Sequence, residues 1–113
     1  GFGKNQQIEG EFNPGQKAIL IEDLATDGGS KVVFIEAMRK ASIEVSDIFV
    51  IFYYDIFDIS KTLLSPLNVK IHYLCNWKNI INVIKNKKIL SNEDISSLEI
   101  FLKDPKKWQF LNE

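Results

Sequence analysis

No stretch of the chain restricts its fold as tightly as Ala18-Ile19-Leu20-Ile21-Glu22-Asp23-Leu24-Ala25-Thr26-Asp27-Gly28-Gly29-Ser30. Its apolar start reads as a buried strand over 18–23, of the kind that parallel sheets cover on both faces. Two adjacent carboxylates stand at the carboxyl end of that strand, where open α/β sheets bind their ligands. The Thr-Asp-Gly-Gly-Ser loop then opens into a helix. Two glycines before a helix start let successive backbone N–H groups close around a phosphate, with the helix dipole favouring the negative charge. Carboxylates do not bind phosphate, but they accept hydrogen bonds from neighbouring hydroxyls, such as those of a ribose ring. A phosphate loop beside a diol acceptor describes a ribose 5-phosphate site.

Each part has a purely structural reading to set against this one. Glu22 and Asp23 could simply finish a buried strand, yet adjacent carboxylates repel each other and are costly to desolvate without partners. Thr26 to Ser30 could be a tight strand-to-helix turn with Ser30 as N-cap. Alone, the glycine pair is weak; after Glu22-Asp23 it is specific. A carboxylate at Asp27 would weaken phosphate binding if it pointed inward. It is therefore expected to point outward, toward Lys31 or as a helix cap, leaving only its backbone N–H facing the ligand.

The 113 residues allow at most one domain, here 1–113, with a modest core. Fourteen basic residues against fifteen acidic ones give no basic face for nucleic acid or an anionic membrane. The single cysteine, Cys75, rules out an internal disulfide and fits a reducing, cytoplasmic compartment. No apolar run approaches the roughly 20 residues that cross a bilayer. The chain begins Gly1-Phe2-Gly3 and its only methionine is Met38, so the natural start is expected to be absent.

Further along, residues 3–13 read as a loop tail running into a short strand, and Pro14-Gly15 as a turn. A helix over 30–41 carries Val33, Ala37 and Ala41 on one stripe and Phe34 and Met38 on the next, a face wide enough for contacts on two sides. Ile48 to Tyr53 reads as a second buried strand, parallel to the first through a right-handed crossover. Residues 55–68 have room for one or two helical turns, and Val69 to Leu74 alternates as a less covered strand. Asn76 can cap a helix bearing Trp77, Ile80, Ile81 and Ile84. Ser91 can cap a last helix buried through Ile95, Leu98, Phe101 and Leu102, with Pro105 as its stop. His72 and Cys75 read as structural or surface residues, and Trp77 and Trp108 as core or interface anchors.

The acidic strand end and its Thr-x-Gly-Gly-Ser loop resemble the phosphoribosyl pyrophosphate motif of the type I phosphoribosyltransferases. Within that family the chain is most similar to orotate phosphoribosyltransferases, through Gln7-Ile8-Glu9-Gly10, the helix-strand spacing after Ser30, and the Leu90-Ser91-Asn92-Glu93-Asp94 and Asp104-Pro105-Lys106-Lys107-Trp108 stretches. The resemblance implies an α/β fold, a mostly parallel sheet flanked by helices and incomplete at the N-terminus, corresponding to the C-terminal part of such an enzyme. It implies a glycosyltransferase of pyrimidine biosynthesis that joins a base, orotate, to the ribose of phosphoribosyl pyrophosphate. Glu22 and Asp23 would hold ribose hydroxyls; Leu24, Ala25, Thr26, Asp27, Gly28, Gly29 and Ser30 would complete the substrate loop. Mg²⁺ would ride mainly on the substrate, with no direct protein ligand, and the protein would form a homodimer. The loop lysines that meet pyrophosphate would precede Gly1, leaving Lys4 as the nearest substitute. Relatives often place an arginine near Tyr54 to meet the orotate carboxylate; the sole arginine here is Arg39, inside a helix. A non-catalytic phosphoribosyl-binding or regulatory module, or an inactive fragment, is the alternative reading.

Overall fold

The computed structural model describes residues 8–112, so Lys4, the Phe2-Gly3-Lys4 loop tail and Gln7 lie outside the described residues. The chain divides into two compact units, one ending at Leu74 and the other beginning at Cys75. The first is a strand-helix-strand unit extended by short turns: β1 (Lys17–Ala25), α1 (Gly29–Lys40), β2 (Glu44–Tyr53), a π-helical turn over Ser60–Leu64 that runs into a 3-10 turn over Ser65–Leu67, and β3 (Lys70–Asn76). The strands lie in the order β1-β2-β3. β1 and β2 are parallel, pairing Leu20 with Ile48, Glu22 with Val50 and Ala25 with Tyr53, with one irregularity between Ala18 and Leu20. The expected α/β class, a parallel sheet flanked by helices, is the observed one.

The apolar positions that face each other across this unit form its core. Ile48 and Val50 of β2 are fully buried with Ile35 of α1, Ile59 and Leu64, and Leu20 and Met38 pack against them. Burial of each such side chain stabilises the fold by about 1.5–3 kcal/mol. Two expectations need correction. Ile19 and Ile21 of β1 are 50% and 68% exposed, so among the described residues this strand is covered on one face only. On α1 the anchor is Ile35, with Ala37 buried and Met38 packed against the core, while Val33 and Phe34 remain 48% and 42% exposed; only part of each stripe read from the sequence is covered.

Smaller differences have local causes. Residues 8–13 form no strand, although Pro14 and Gly15 do turn, Gly15 with a positive φ of 81°. At the far end of α1, Arg39 Nη2 donates to the carbonyls of Val45 (2.9 Å) and Leu67 (2.7 Å), fastening the helix to the start of β2 and to the 3-10 turn.

The second unit is helical: α2 (Trp77–Lys87), α3 (Asn92–Lys103) and α4 (Pro105–Asn112). Asn76 caps α2 as expected, and the cap is reciprocal: its side chain accepts the Asn79 N–H at 3.0 Å while the Asn79 side chain accepts the Asn76 N–H at 2.9 Å. Ser91 caps α3 by accepting the Asp94 N–H at 3.1 Å. Pro105 does stop α3, but it also opens α4, because the first helical position needs no N–H; Asp104 caps the new helix through the Lys107 N–H at 3.0 Å. Phe101 and Trp108 meet edge to face at 5.5 Å, giving Trp108 its anchoring role. No helix among the described residues is long and apolar enough to cross a membrane.

Candidate functional site

β1 continues past Asp23 to Ala25, so Glu22 and Asp23 belong to the strand, and adjacent strand residues point to opposite faces. Glu22 is half-buried on the side that packs against α1, and Asp23 is exposed on the other. Ala25 is buried, and its carbonyl accepts the Tyr54 N–H at 2.9 Å. That bond brings the ends of β1 and β2 together, which places Tyr53 and Tyr54 beside Ala25, where the loop begins.

Thr26, Asp27 and Gly28 bend the chain into α1. Gly28 is buried in the left-handed region at φ 78°, and a Cβ there would come within 3.2 Å of the Ile59 and Leu63 Cδ1 atoms. Both conformation and space therefore demand glycine. Gly29 differs: a Cβ would meet nothing closer than Asp27 Oδ1 at 3.7 Å. Its outer side is open, as a phosphate approaching the helix end requires.

Two sequence readings of this loop change and one holds. Ser30 does not cap α1, because Gly28 holds the N-cap position; Ser30 lies one residue inside the helix. Asp27 is exposed and takes the helix-capping form of the outward reading: its Oδ1 accepts the N–H of Gly29, the first residue of α1, at 3.1 Å. It thus occupies one of the amides assigned to the phosphate. Nor does Lys31 pair with Asp27. Its Nζ lies 3.1 Å from Glu22 Oε1 and donates to Ser30 Oγ at 3.4 Å.

Lys31 is the residue that sequence reasoning missed. It is only 5% exposed, and a buried lysine needs a partner. The signal was present: Lys31 stands four residues before Ile35, on the stripe of α1 that faces the core. A charged residue does not register in an apolar pattern, and Glu22 is nine positions away on another element.

Tyr53 is buried at the end of β2, its ring 5.2 Å from that of Tyr73. Burial pushes its phenol up to about 12, with Asp55 and Asp58 adding to the shift, so it is a neutral group at any physiological pH. Arg39, fixed to two carbonyls at the opposite end of α1, lies about 12 Å along the helix from Lys31. A concavity of about 340 Å³ opens beside Glu22, bordered by Ile8, Glu9, Ile21 and Phe34. Among the described residues no three His, Cys, Asp or Glu side chains gather where they could hold a metal ion.

No family model matches the chain. Curated relatives do. It is 40% identical over 112 residues to the orotate phosphoribosyltransferase of Ruegeria sp. (strain TM1040), covering 99% of this chain and 50% of that protein. It is 39% identical over 108 residues to the orotate phosphoribosyltransferase of Agrobacterium fabrum, covering 96% and 47%. The chain thus spans about half the length of the curated relatives it matches. Among solved structures, Leishmania donovani UMP synthase superposes with a TM-score of 0.73 at 25% identity, over 88% of this chain and 22% of that one. Over the half that it matches, the chain is similar to these orotate phosphoribosyltransferases in sequence and to the UMP synthase in fold.

Proposed function

We propose that this chain supplies the sugar-phosphate-holding part of an orotate phosphoribosyltransferase, which transfers ribose 5-phosphate from phosphoribosyl pyrophosphate to orotate. The observation that carries this reading is the placement of Glu22 and Asp23 near the carboxyl end of β1, two residues before a loop whose Gly28 is held left-handed at the N-terminus of α1. In this reading the 5-phosphate takes the backbone N–H groups of residues 27–30, displacing the exposed Asp27 carboxylate from Gly29. The carboxylates at the strand end accept hydrogen bonds from the ribose hydroxyls. Displacement at the ribose C1 passes through an oxocarbenium-like state, as in glycoside chemistry, so the contribution of these residues is to hold the sugar in line. Mg²⁺ would come with the substrate and supply positive charge to the departing pyrophosphate, keeping most of its waters, with no ligand from this chain assigned to it.

Two partner-level readings accompany this one. Val33 and Phe34 leave an apolar strip on α1 that supports self-association into a homodimer. The lone Cys75 fits a reducing cytoplasm. The direct test is pyrophosphate release from phosphoribosyl pyrophosphate with Mg²⁺, with the protein at its full natural length. Orotate-dependent turnover is expected. Residues 1–113 alone match about half the length of the curated relatives and should stay near background, because each positioned charge supplied by the other half is worth about a hundredfold or more. A full-length protein without orotate-dependent release would overturn the reading.

A further inference from the structure

We infer that Lys31 is a positioning residue that joins the ribose half of the site to its phosphate half. The inference rests on the proposed function above. Lys31 Nζ touches both halves: Glu22 Oε1 at 3.1 Å and Ser30 Oγ at 3.4 Å. Its location is poor for stability alone. It is 5% exposed, and a cation in the first turn of a helix opposes the helix dipole. A core built only for stability would place an apolar residue there. The same location suits an anionic ligand, since it adds positive charge beneath a loop already open to phosphate.

The contact also separates two carboxylates that look equivalent in the sequence. Glu22 is turned toward α1 and held by Lys31, while Asp23 stays exposed on the other side of β1. With the Lys31 ammonium 3.1 Å from its buried Oε1, Glu22 has its charge balanced on that side and its second oxygen left for a ribose hydroxyl. Lys31 therefore sets the direction of a ribose contact without itself touching the sugar.

The test is binding of ribose 5-phosphate and of inorganic phosphate to the full-length protein, titrated on the wild type, Lys31→Met and Lys31→Arg. The wild type should prefer ribose 5-phosphate. Lys31→Met should weaken ribose 5-phosphate by about tenfold, within the range for directly contacting pairs, with a much smaller loss for inorganic phosphate. Lys31→Arg, which keeps the charge, should recover most of the preference. If Lys31→Met does not fold, Lys31→Gln takes its place with the same expectation. Equal losses for both ligands, or an unchanged preference in Met and Gln variants, would overturn the positioning role while leaving the ribose phosphate site standing. A wild type with no preference for ribose 5-phosphate would instead overturn the function on which the role depends.

Discussion

The two ends of α1 carry one cation each, and they are used differently. Arg39, in the last turn, donates to two backbone carbonyls and agrees with the helix dipole. Lys31, in the first turn, opposes the dipole, is more deeply buried, and pairs with a side-chain carboxylate beside a loop held by a left-handed glycine. One end satisfies every physical preference and looks structural. The other tolerates a buried charge set against the helix dipole, at a turn that only glycine can make. Local rules tend to be broken where a site needs them broken, and here the violations collect at the carboxyl end of β1.

The glycine pair gives the largest contrast. Gly28→Ala should destabilise the protein by about 2–3 kcal/mol, combining the left-handed backbone penalty with crowding against Ile59 and Leu63. Gly29→Ala, one residue on, should leave stability within about 0.5–1 kcal/mol of wild type yet weaken phosphate binding by covering the open side of the loop. Urea unfolding and phosphate titration on the two variants separate the roles. Similar destabilisation by both would remove the distinction drawn between them.

Arg39→Met sharpens the comparison from the structural end. It leaves the Val45 and Leu67 carbonyls without their charged donor and should cost about 2 kcal/mol. The ribose-to-phosphate preference of the folded variant should not change. A shift in that preference would mean the two ends of α1 are not separable.

The smallest effect belongs to the rim of the sheet, where His72 Nε2 lies 2.8 Å from Asp47 Oδ1. The hydrogen bond from His72, and then one from Ser46, hold the Asp47 carboxyl below its ordinary value of 3.8. A carboxyl depressed in the folded state adds stability above its unfolded pKa and loses it as pH falls through the folded value. Both groups are substantially exposed, so the contribution is slight. The acid side of a stability-against-pH profile should be a little flatter in Asp47→Asn than in wild type; identical profiles would remove this pair from consideration.

Much of this was legible in the sequence because the informative signals were local. The apolar run of β1, the cap residues Asn76 and Ser91, and the Glu22-to-Ser30 motif each depend on neighbours within a few positions. What was not legible depended on partners far away in the chain. Ser30 looked like a cap until Gly28 was seen to hold that position. Lys31 was read only as a partner for Asp27, because its actual partner, Glu22, sits on β1. Val33 and Phe34 looked buried because apolarity alone does not reveal which side of a helix meets the sheet. Pro105 stopped one helix as expected, but its equal fitness to begin the next was not used.

The measurement closest to the centre is a paired titration of Glu22→Gln/Asp23→Asn with ribose 5-phosphate and with inorganic phosphate. If the carboxylates hold the sugar hydroxyls and the loop holds the phosphate, ribose 5-phosphate affinity should fall by about tenfold or more, the scale of lost charged hydrogen bonds. Inorganic phosphate should bind as well as before, or slightly better as negative charge is removed. Equal weakening of both ligands, or no change for either, would contradict a ribose 5-phosphate site at the end of β1.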